Sequence, residues 1–197
     1  MTRRLVDIVV SAAALVLCSP LLLAAMLAIR SESDGAAIYR QRRVGRGGRE
    51  FDMLKLRTMV EGAEGMGAGL AVNEGDWRIT RVGALLRRTS LDELPNLINV
   101  LRGEMSLIGP RPTIPQQVAR YTPRQRRRLE VRPGITGWAQ VNGRAALSWG
   151  ERIELDIYYI EHRSLRLDLE ILRRTPALVF GGGGIYKGES GGWEGEL

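Results

Sequence analysis

The sequence predicts an α+β chain, predominantly helical, made of a re-entrant N-terminal membrane helix hairpin, a small β-hairpin, amphipathic surface helices and irregular site loops. Three observations predict it. No charged side chain interrupts the run from Ile8 to Ile29, yet Ser19-Pro20 breaks it near the middle. Two strand-like segments flank Gly45-Arg46-Gly47-Gly48. Beyond them, apolar residues recur at helical spacing in short stretches closed by glycine or proline. The chain thus divides into a membrane segment at 1–30, a cytosolic-face domain at 31–180 and a flexible tail at 181–197.

The apolar run of about 22 residues is long enough to span a bilayer. Pro20 argues for a different course, because proline removes a helix hydrogen bond and clashes one turn back. Each half then measures roughly 17 Å of helix, little more than half of a ~30 Å core. Arg3 and Arg4 precede the run; Arg30, Arg40, Arg42 and Arg43 follow it. Both flanks therefore prefer the cytoplasmic side. A helix that enters, breaks at Ser19-Pro20 and leaves on the same face satisfies both, with the serine hydroxyl taking a freed carbonyl.

Segments 37–43 and 49–54 read as the arms of a β-hairpin. Gly62 to Gly75 reads as a mobile surface loop; its Gly65-x-Gly-x-Gly69 lacks the strand–turn–helix setting of a phosphate loop. Ile79 to Arg88 reads as a short helix delivering Arg87 and Arg88. A central helix follows, opened at Ser90 and stopped at Gly103, with Leu94, Leu97, Ile98 and Leu101 as its core stripe. Pro110 and Pro112 fix the backbone around Arg111. Segment 116–130 is helix-like but broken at Pro123, and its Arg124–Arg128 run reads as a solvated face or an anionic-lipid contact. Segment 132–144 fits no periodicity and reads as an irregular site wall. Segment 149–161 is helical, with Ile153, Ile157 and Ile160 facing inward and Asp156 off that stripe. A last helix, capped by Asp168, is expected to end at Pro176.

With 29 basic and 22 acidic side chains the formal charge is +7, and Lys55 and Lys187 are the only lysines. Arginine's planar fork suits phosphate and carboxylate, so a polyanionic partner is expected. One cysteine, Cys18, and one histidine, His162, leave no intrachain disulfide and no Cys/His zinc site. His162 lies in a polar helical stretch and reads as a surface residue. Chemistry here should run on carboxylates, arginines and a hard metal.

The carboxylates that stand out are Asp92 and Glu93. Ser90 with Glu93 three residues on spells a capping box. Helical spacing then puts both acids outside the apolar stripe, exposed at a positive helix end. Acids suit a first helical turn for that reason alone. The flanking Arg87, Arg88 and rigid Pro110-Arg111-Pro112 turn point instead to a phosphate site.

Asp92-Glu93-Leu94-Pro95-Asn96 and its continuation to Pro112, together with Lys55-Leu56-Arg57-Thr58-Met59, Arg132-Pro133-Gly134-Ile135-Thr136-Gly137-Trp138 and Gln140-Val141-Asn142-Gly143-Arg144, resemble the bacterial sugar transferases. The likeness runs from about Arg3 to Pro176 and is nearest to the small monotopic polyprenyl-phosphate phosphoglycosyl transferases. It implies a location on the cytoplasmic face of the bacterial inner membrane. It implies transfer of sugar-1-phosphate from a UDP-sugar to undecaprenyl phosphate, with release of UMP. Downstream glycosyltransferases are implied as partners, and nucleic acid is not. Asp92 would be the nucleophile that forms a phosphosugar–aspartyl intermediate, and Glu93 would hold Mg2+. Lys55, Arg87, Pro110, Arg111, Pro112, Arg144 and Asp156 match positions around the substrates, and Ser19-Pro20 matches the family's helix break. Larger members carry further segments before this unit, so the likeness is to the minimal catalytic form.

Two other readings compete. A basic membrane-tethered module for anionic lipid or nucleic acid explains the charge but leaves Asp92 and Glu93 idle. A glycosyltransferase moving sugar without its phosphate would release UDP, and no Asp-x-Asp metal motif supports it.

Overall fold

A computed structural model describes residues 2–66, 72 and 75–181. Parts of the expected 62–75 loop and all but the first residue of the 181–197 tail lie outside the described residues. Helix α1, Thr2–Glu32, is long and apolar enough to cross a membrane. Pro20 lies inside it, and the helix continues on both sides. The carbonyl that Pro20 leaves without a donor is that of Val16, and the Ser19 hydroxyl donates to it at 2.8 Å. Val16, Leu17 and Leu21 around the proline are exposed.

Both ends of α1 dock on the body. At the start, Arg4 donates to the carbonyls of Val100 and Leu101 at 2.5 and 2.8 Å. Asp7 accepts from the Ser106 hydroxyl and the Leu107 N–H, and Arg3 pairs with Asp168 at 2.9 Å. At the far end, Ala25 and Ile29 pack with Ala37, Leu56 and Leu86 in one of three apolar clusters. Glu32 then accepts from the N–H groups of Arg81 and Val82, which open helix α2, Arg81–Arg88.

Strands β1, Ile38–Val44, and β2, Glu50–Leu56, form the expected antiparallel hairpin, with Tyr39 opposite Lys55. Gly47 and Gly48 take φ of 66° and 79° in its turn, conformations a side chain disfavours. Helix α2 starts two residues later than expected because Thr80 caps it, accepting from Gly83. Gly83 is required there: a Cβ would lie 2.0 Å from the Thr58 carbonyl oxygen.

The central helix departs from expectation. Ser90 takes a left-handed φ of 55° and caps nothing, so no capping box forms. A tight turn, Leu91–Glu93, precedes helix α3, Asn96–Arg102, because Pro95 has no N–H to continue a ladder back to Leu91. The buried side is Asn96, Leu97, Asn99 and Val100, rotated from the leucine stripe. Asn99 bridges the helix to β2, accepting from Leu54 N–H at 3.0 Å and donating to the Asp52 carbonyl at 2.8 Å. Gly103 does end the helix, at φ 84°.

The 132–144 segment is also more ordered than its composition implies. Strand β4, Gly134–Thr136, pairs in parallel with β3, Ser106–Ile108, and helix α6, Trp138–Val141, follows. Gly109 N–H donates to Thr136 and Gly134 N–H to Pro110, each at 2.9 Å. A Cβ on Gly134 would lie 2.1 Å from the Gly109 nitrogen, and one on Gly137 2.1 Å from its carbonyl oxygen. Glycine periodicity carries no strand signal, so sequence alone left this crossing as loop.

Helices α4, Pro115–Ala119, and α5, Pro123–Arg126, divide at Pro123 as expected. Helix α7, Trp149–Glu161, matches its predicted bounds and is capped by Ser148. Helix α8, Leu165–Gly181, passes through Pro176 instead of ending there. Its first turn is capped by the Ser164 hydroxyl, which accepts from Leu167 N–H at 3.2 Å. Asp168 is therefore free to accept from the Tyr159 hydroxyl and pair with Arg3.

Gly134→Ala should lower the melting temperature of the purified membrane protein by several degrees, since neither backbone segment can yield and overpacking costs about 1–3 kcal/mol. Gly47→Ala, with no atom within 4 Å of its added Cβ, should cost only the left-handed backbone penalty of about 1 kcal/mol.

Candidate active site

The hairpin, the Leu91–Glu93 turn, the Pro-Arg-Pro turn, α6 and α7 enclose a cleft of about 1210 Å3. Lys55, Arg87, Asp92, Glu93, Arg111, Pro112, Arg144 and Asp156 all line it, although they span a hundred residues of sequence. Pro110 stays outside it and acts through its carbonyl, which accepts from Gly134. Ser19 and Pro20 lie on α1 and take no part in it.

Glu93 joins three elements. Lys55 of β2 donates to its Oε1 at 3.0 Å, and Arg111 donates to both oxygens at 2.5 and 3.2 Å. This fork-on-carboxylate geometry is charge-assisted and directional. Burial opposes ionisation of Glu93, but the Arg111 and Lys55 charges and hydrogen bonds overcome it and hold the carboxyl well below the usual range. Lys55 is itself pushed down by burial, with Glu93 opposing.

Asp92 contrasts with its neighbour. It is buried, 9% exposed, not presented to solvent as helical spacing predicted. The tight turn, by replacing a helical first turn, rotates it into the cleft. Its carboxylate makes no hydrogen bond or ion pair with any described side chain. Burial raises its pKa, and Lys55 opposes that rise. Two adjacent acids thus sit in opposite states: one neutralised by a clamp, the other close to cations but unbonded.

Around them the cations are held from behind. Arg87 leaves the last turn of α2 and donates to the Thr58 hydroxyl at 2.8 Å. Arg144 donates to the Ser90 hydroxyl at 3.3 Å. Ser90 and Arg144 are the two non-glycine residues with positive φ, 55° and 52°, among the described residues. Such strain, about 1–3 kcal/mol each, concentrates at working sites. Asp156 is fully buried and pairs through Oδ2 with Arg128, at 2.6 and 2.9 Å. Arg128 also donates to the Tyr121 hydroxyl and to the Arg111 carbonyl, so Asp156 braces the Pro-Arg-Pro turn from behind.

Arg128 corrects the reading of the arginine run as one solvated face. Arg124 and Arg127 pair with Glu154 and Glu161 of α7, while Arg128 is 5% exposed and belongs to the cleft. Nothing in a run of like charges singles out its buried member. Arg43 was also missed. It donates to the Pro112 carbonyl at 3.2 Å, and burial and the nearby Arg111 lower its pKa to about 10. Strand alternation places Tyr39, Gln41 and Arg43 on one face, and Tyr39 faces Lys55, a signal that could have found it.

Among the described residues no group of three or more Asp, Glu, His or Cys side chains could hold a metal ion alone. Asp92 and Glu93 are two carboxylates in a cationic cleft, and Mg2+ commonly takes one or two carboxylates with substrate phosphates completing its shell. That donor set fits Mg2+ only together with a phosphorylated ligand.

The two acids predict opposite stability effects. Asp92, with its raised pKa, destabilises the folded state once ionised, a penalty absent in acid and complete above the folded pKa. Asp92→Asn should therefore raise the melting temperature at pH 7, with the gain vanishing as pH falls. Glu93 contributes stability above its ordinary pKa and loses it as pH falls through the depressed one. Glu93→Gln should lower the melting temperature at pH 7, and that deficit should shrink in acid.

Comparison with known proteins shows the family. The family model described as bacterial sugar transferase matches residues 1–182. A Bacillus subtilis protein named uncharacterized sugar transferase EpsL is 41% identical over 187 residues, 94% of this chain and 90% of that protein. A Caulobacter vibrioides UDP-glucose:undecaprenyl-phosphate glucose-1-phosphate transferase is 46% identical, over 90% of this chain and 69% of its own. An Aeromonas hydrophila UDP-N-acetylgalactosamine-undecaprenyl-phosphate N-acetylgalactosaminephosphotransferase is 45% identical, over 92% of this chain but 44% of its own. By the extent of these matches, the chain belongs to the bacterial sugar transferase family.

Proposed function

We propose that the protein transfers sugar-1-phosphate from a UDP-sugar to undecaprenyl phosphate, releasing UMP, through a covalent phosphosugar–aspartyl intermediate on Asp92. The observation that carries this reading is the unbonded, buried Asp92 carboxylate beside a Glu93 already clamped by Lys55 and Arg111. The reactions named for the Caulobacter and Aeromonas relatives support the same chemistry.

In the first half-reaction an Asp92 oxygen attacks the β-phosphorus, the bond to the bridging oxygen breaks, and UMP leaves with that electron pair. In the second, an oxygen of the polyprenyl phosphate attacks the same phosphorus and Asp92 leaves as carboxylate. A carboxylate can approach the anionic diphosphate only where its charge is neutralised first. Arg111 and Lys55 can turn from Glu93 toward phosphate oxygens, and Arg144 can exchange its weak Ser90 hydrogen bond for one. Bound Mg2+, held through Glu93, would supply further neutralisation of the diphosphate.

The membrane arrangement follows the same logic. Both ends of α1 grip one body while the residues around Ser19-Pro20 stay exposed, which favours a re-entrant helix over a span. Arginines on both flanks favour the cytoplasmic face of the inner membrane. The lipid phosphate then meets the cleft at the bilayer surface.

Incubation with a UDP-sugar and undecaprenyl phosphate should release UMP; release of UDP would exclude this chemistry. Asp92→Asn should abolish turnover and the trapped phosphosugar adduct, and retained turnover would remove Asp92 as nucleophile. Arg111→Ala should lower kcat/KM for the nucleotide sugar by 100-fold or so, the order expected for losing one preorganised charged donor.

A further inference from the structure

The cleft contains buried polar atoms that the transfer chemistry leaves unused. Gln140 of α6 is 6% exposed, and neither its amide oxygen nor its amide nitrogen has a hydrogen-bond partner among the described residues. The same is true of the Trp149 indole N–H and of Asp156 Oδ1, the oxygen that Arg128 does not reach. All three side chains line the cleft that holds Asp92. Buried polar groups without partners are rare, and each costs about 1–3 kcal/mol. Four such atoms on side chains of α6 and α7 that line one cleft point to a surface shaped for a ligand.

Several neighbours are engaged elsewhere. Thr136 and Thr175 bond to each other at 2.9 Å. Arg128 is committed to Asp156, Tyr121 and Arg111. Trp149 is held in place by the guanidinium of Arg128 at 5.3 Å and that of Arg152 at 5.9 Å from its ring centre. Gly137 leaves room beside the amide oxygen, since a Cβ there would come within 2.9 Å of it. The indole offers a donor, the carboxylate an acceptor and the amide one of each. A phosphate accepts only and would leave Asp156 unmatched. Groups that both donate and accept on a compact scaffold are the hydroxyls of a sugar ring.

We infer that Gln140, Trp149 and Asp156 form a hydroxyl-reading subsite for a ring of the nucleotide sugar, and that Gln140 and Trp149 set substrate selectivity. The ring is either the transferred hexose or the ribose. The inference rests on the nucleotide-sugar reading above.

The test compares the wild type with Gln140→Met and Trp149→Phe, which remove the polar atoms while keeping apolar bulk. UMP release is measured with UDP-glucose, UDP-galactose and UDP-N-acetylglucosamine, and inhibition is measured with UMP and its 2′- and 3′-deoxy analogues. Each variant should flatten one of these comparisons by about tenfold, the worth of one hydrogen bond. Lost discrimination among the UDP-sugars assigns the hexose; lost discrimination between UMP and its deoxy analogues assigns the ribose. Equal slowing of every UDP-sugar, with both discriminations intact, overturns the inference. Should one variant fail to fold, the other carries the same comparison. A wild type that releases UMP from no UDP-sugar would instead refute the reading on which the inference rests.

Discussion

The Glu93 carboxylate is the point on which the cleft depends. Through Lys55 and Arg111 it joins a strand, a tight turn and a proline-locked loop at one carboxylate. Lys55 and Glu93 are partly buried while Arg111 stays half exposed, so removing one partner leaves a charge that solvent only partly compensates. The clamp also sets the character of Asp92. Because Glu93 absorbs the nearest cations, Asp92 stays unbonded and available, and its burial raises the energy of its charged form.

Helix α1 reinforces that arrangement from a distance. Glu32 caps α2, the helix that leads into Ser90 and Asp92, and Arg4 caps the end of α3, the helix that leads away. Arg132 adds a hydrogen bond to the Gly103 carbonyl at 2.9 Å. The segment carrying both acids is therefore held at each end by one helix. Seating of α1 and geometry of the cleft are mechanically one problem.

Much of this was legible in the sequence. The hairpin, α7 and the Gly103 stop followed from alternation, helical spacing and glycine's access to positive φ. The charged residues gathered at the cleft were visible as motifs, although their convergence was not. What escaped had physical causes. Pro95 turned a capped helix start into a tight turn, which carried Asp92 from an expected exposed position into the cleft. Asn99, Arg128 and Gln140 are buried polar residues, and polarity is read from sequence as exposure. The β3–β4 crossing depends on glycines chosen for what they omit, and an absent side chain leaves no pattern.

The glycine crossing has a further consequence. Its order comes from main-chain hydrogen bonds and from the absence of Cβ atoms at Gly109, Gly134 and Gly137. Ile135, between two of those glycines, adds apolar packing against Met105. Ile135, Thr136 and Gln140 face the cleft from this rigid junction. Ile135 also packs against Phe51, Met53, Val100 and Met105, and Thr136 bonds to Thr175, so Gln140 is the position whose change would alter the lining while the junction is kept. At that position support and surface are separate, so the lining can change while the junction stays.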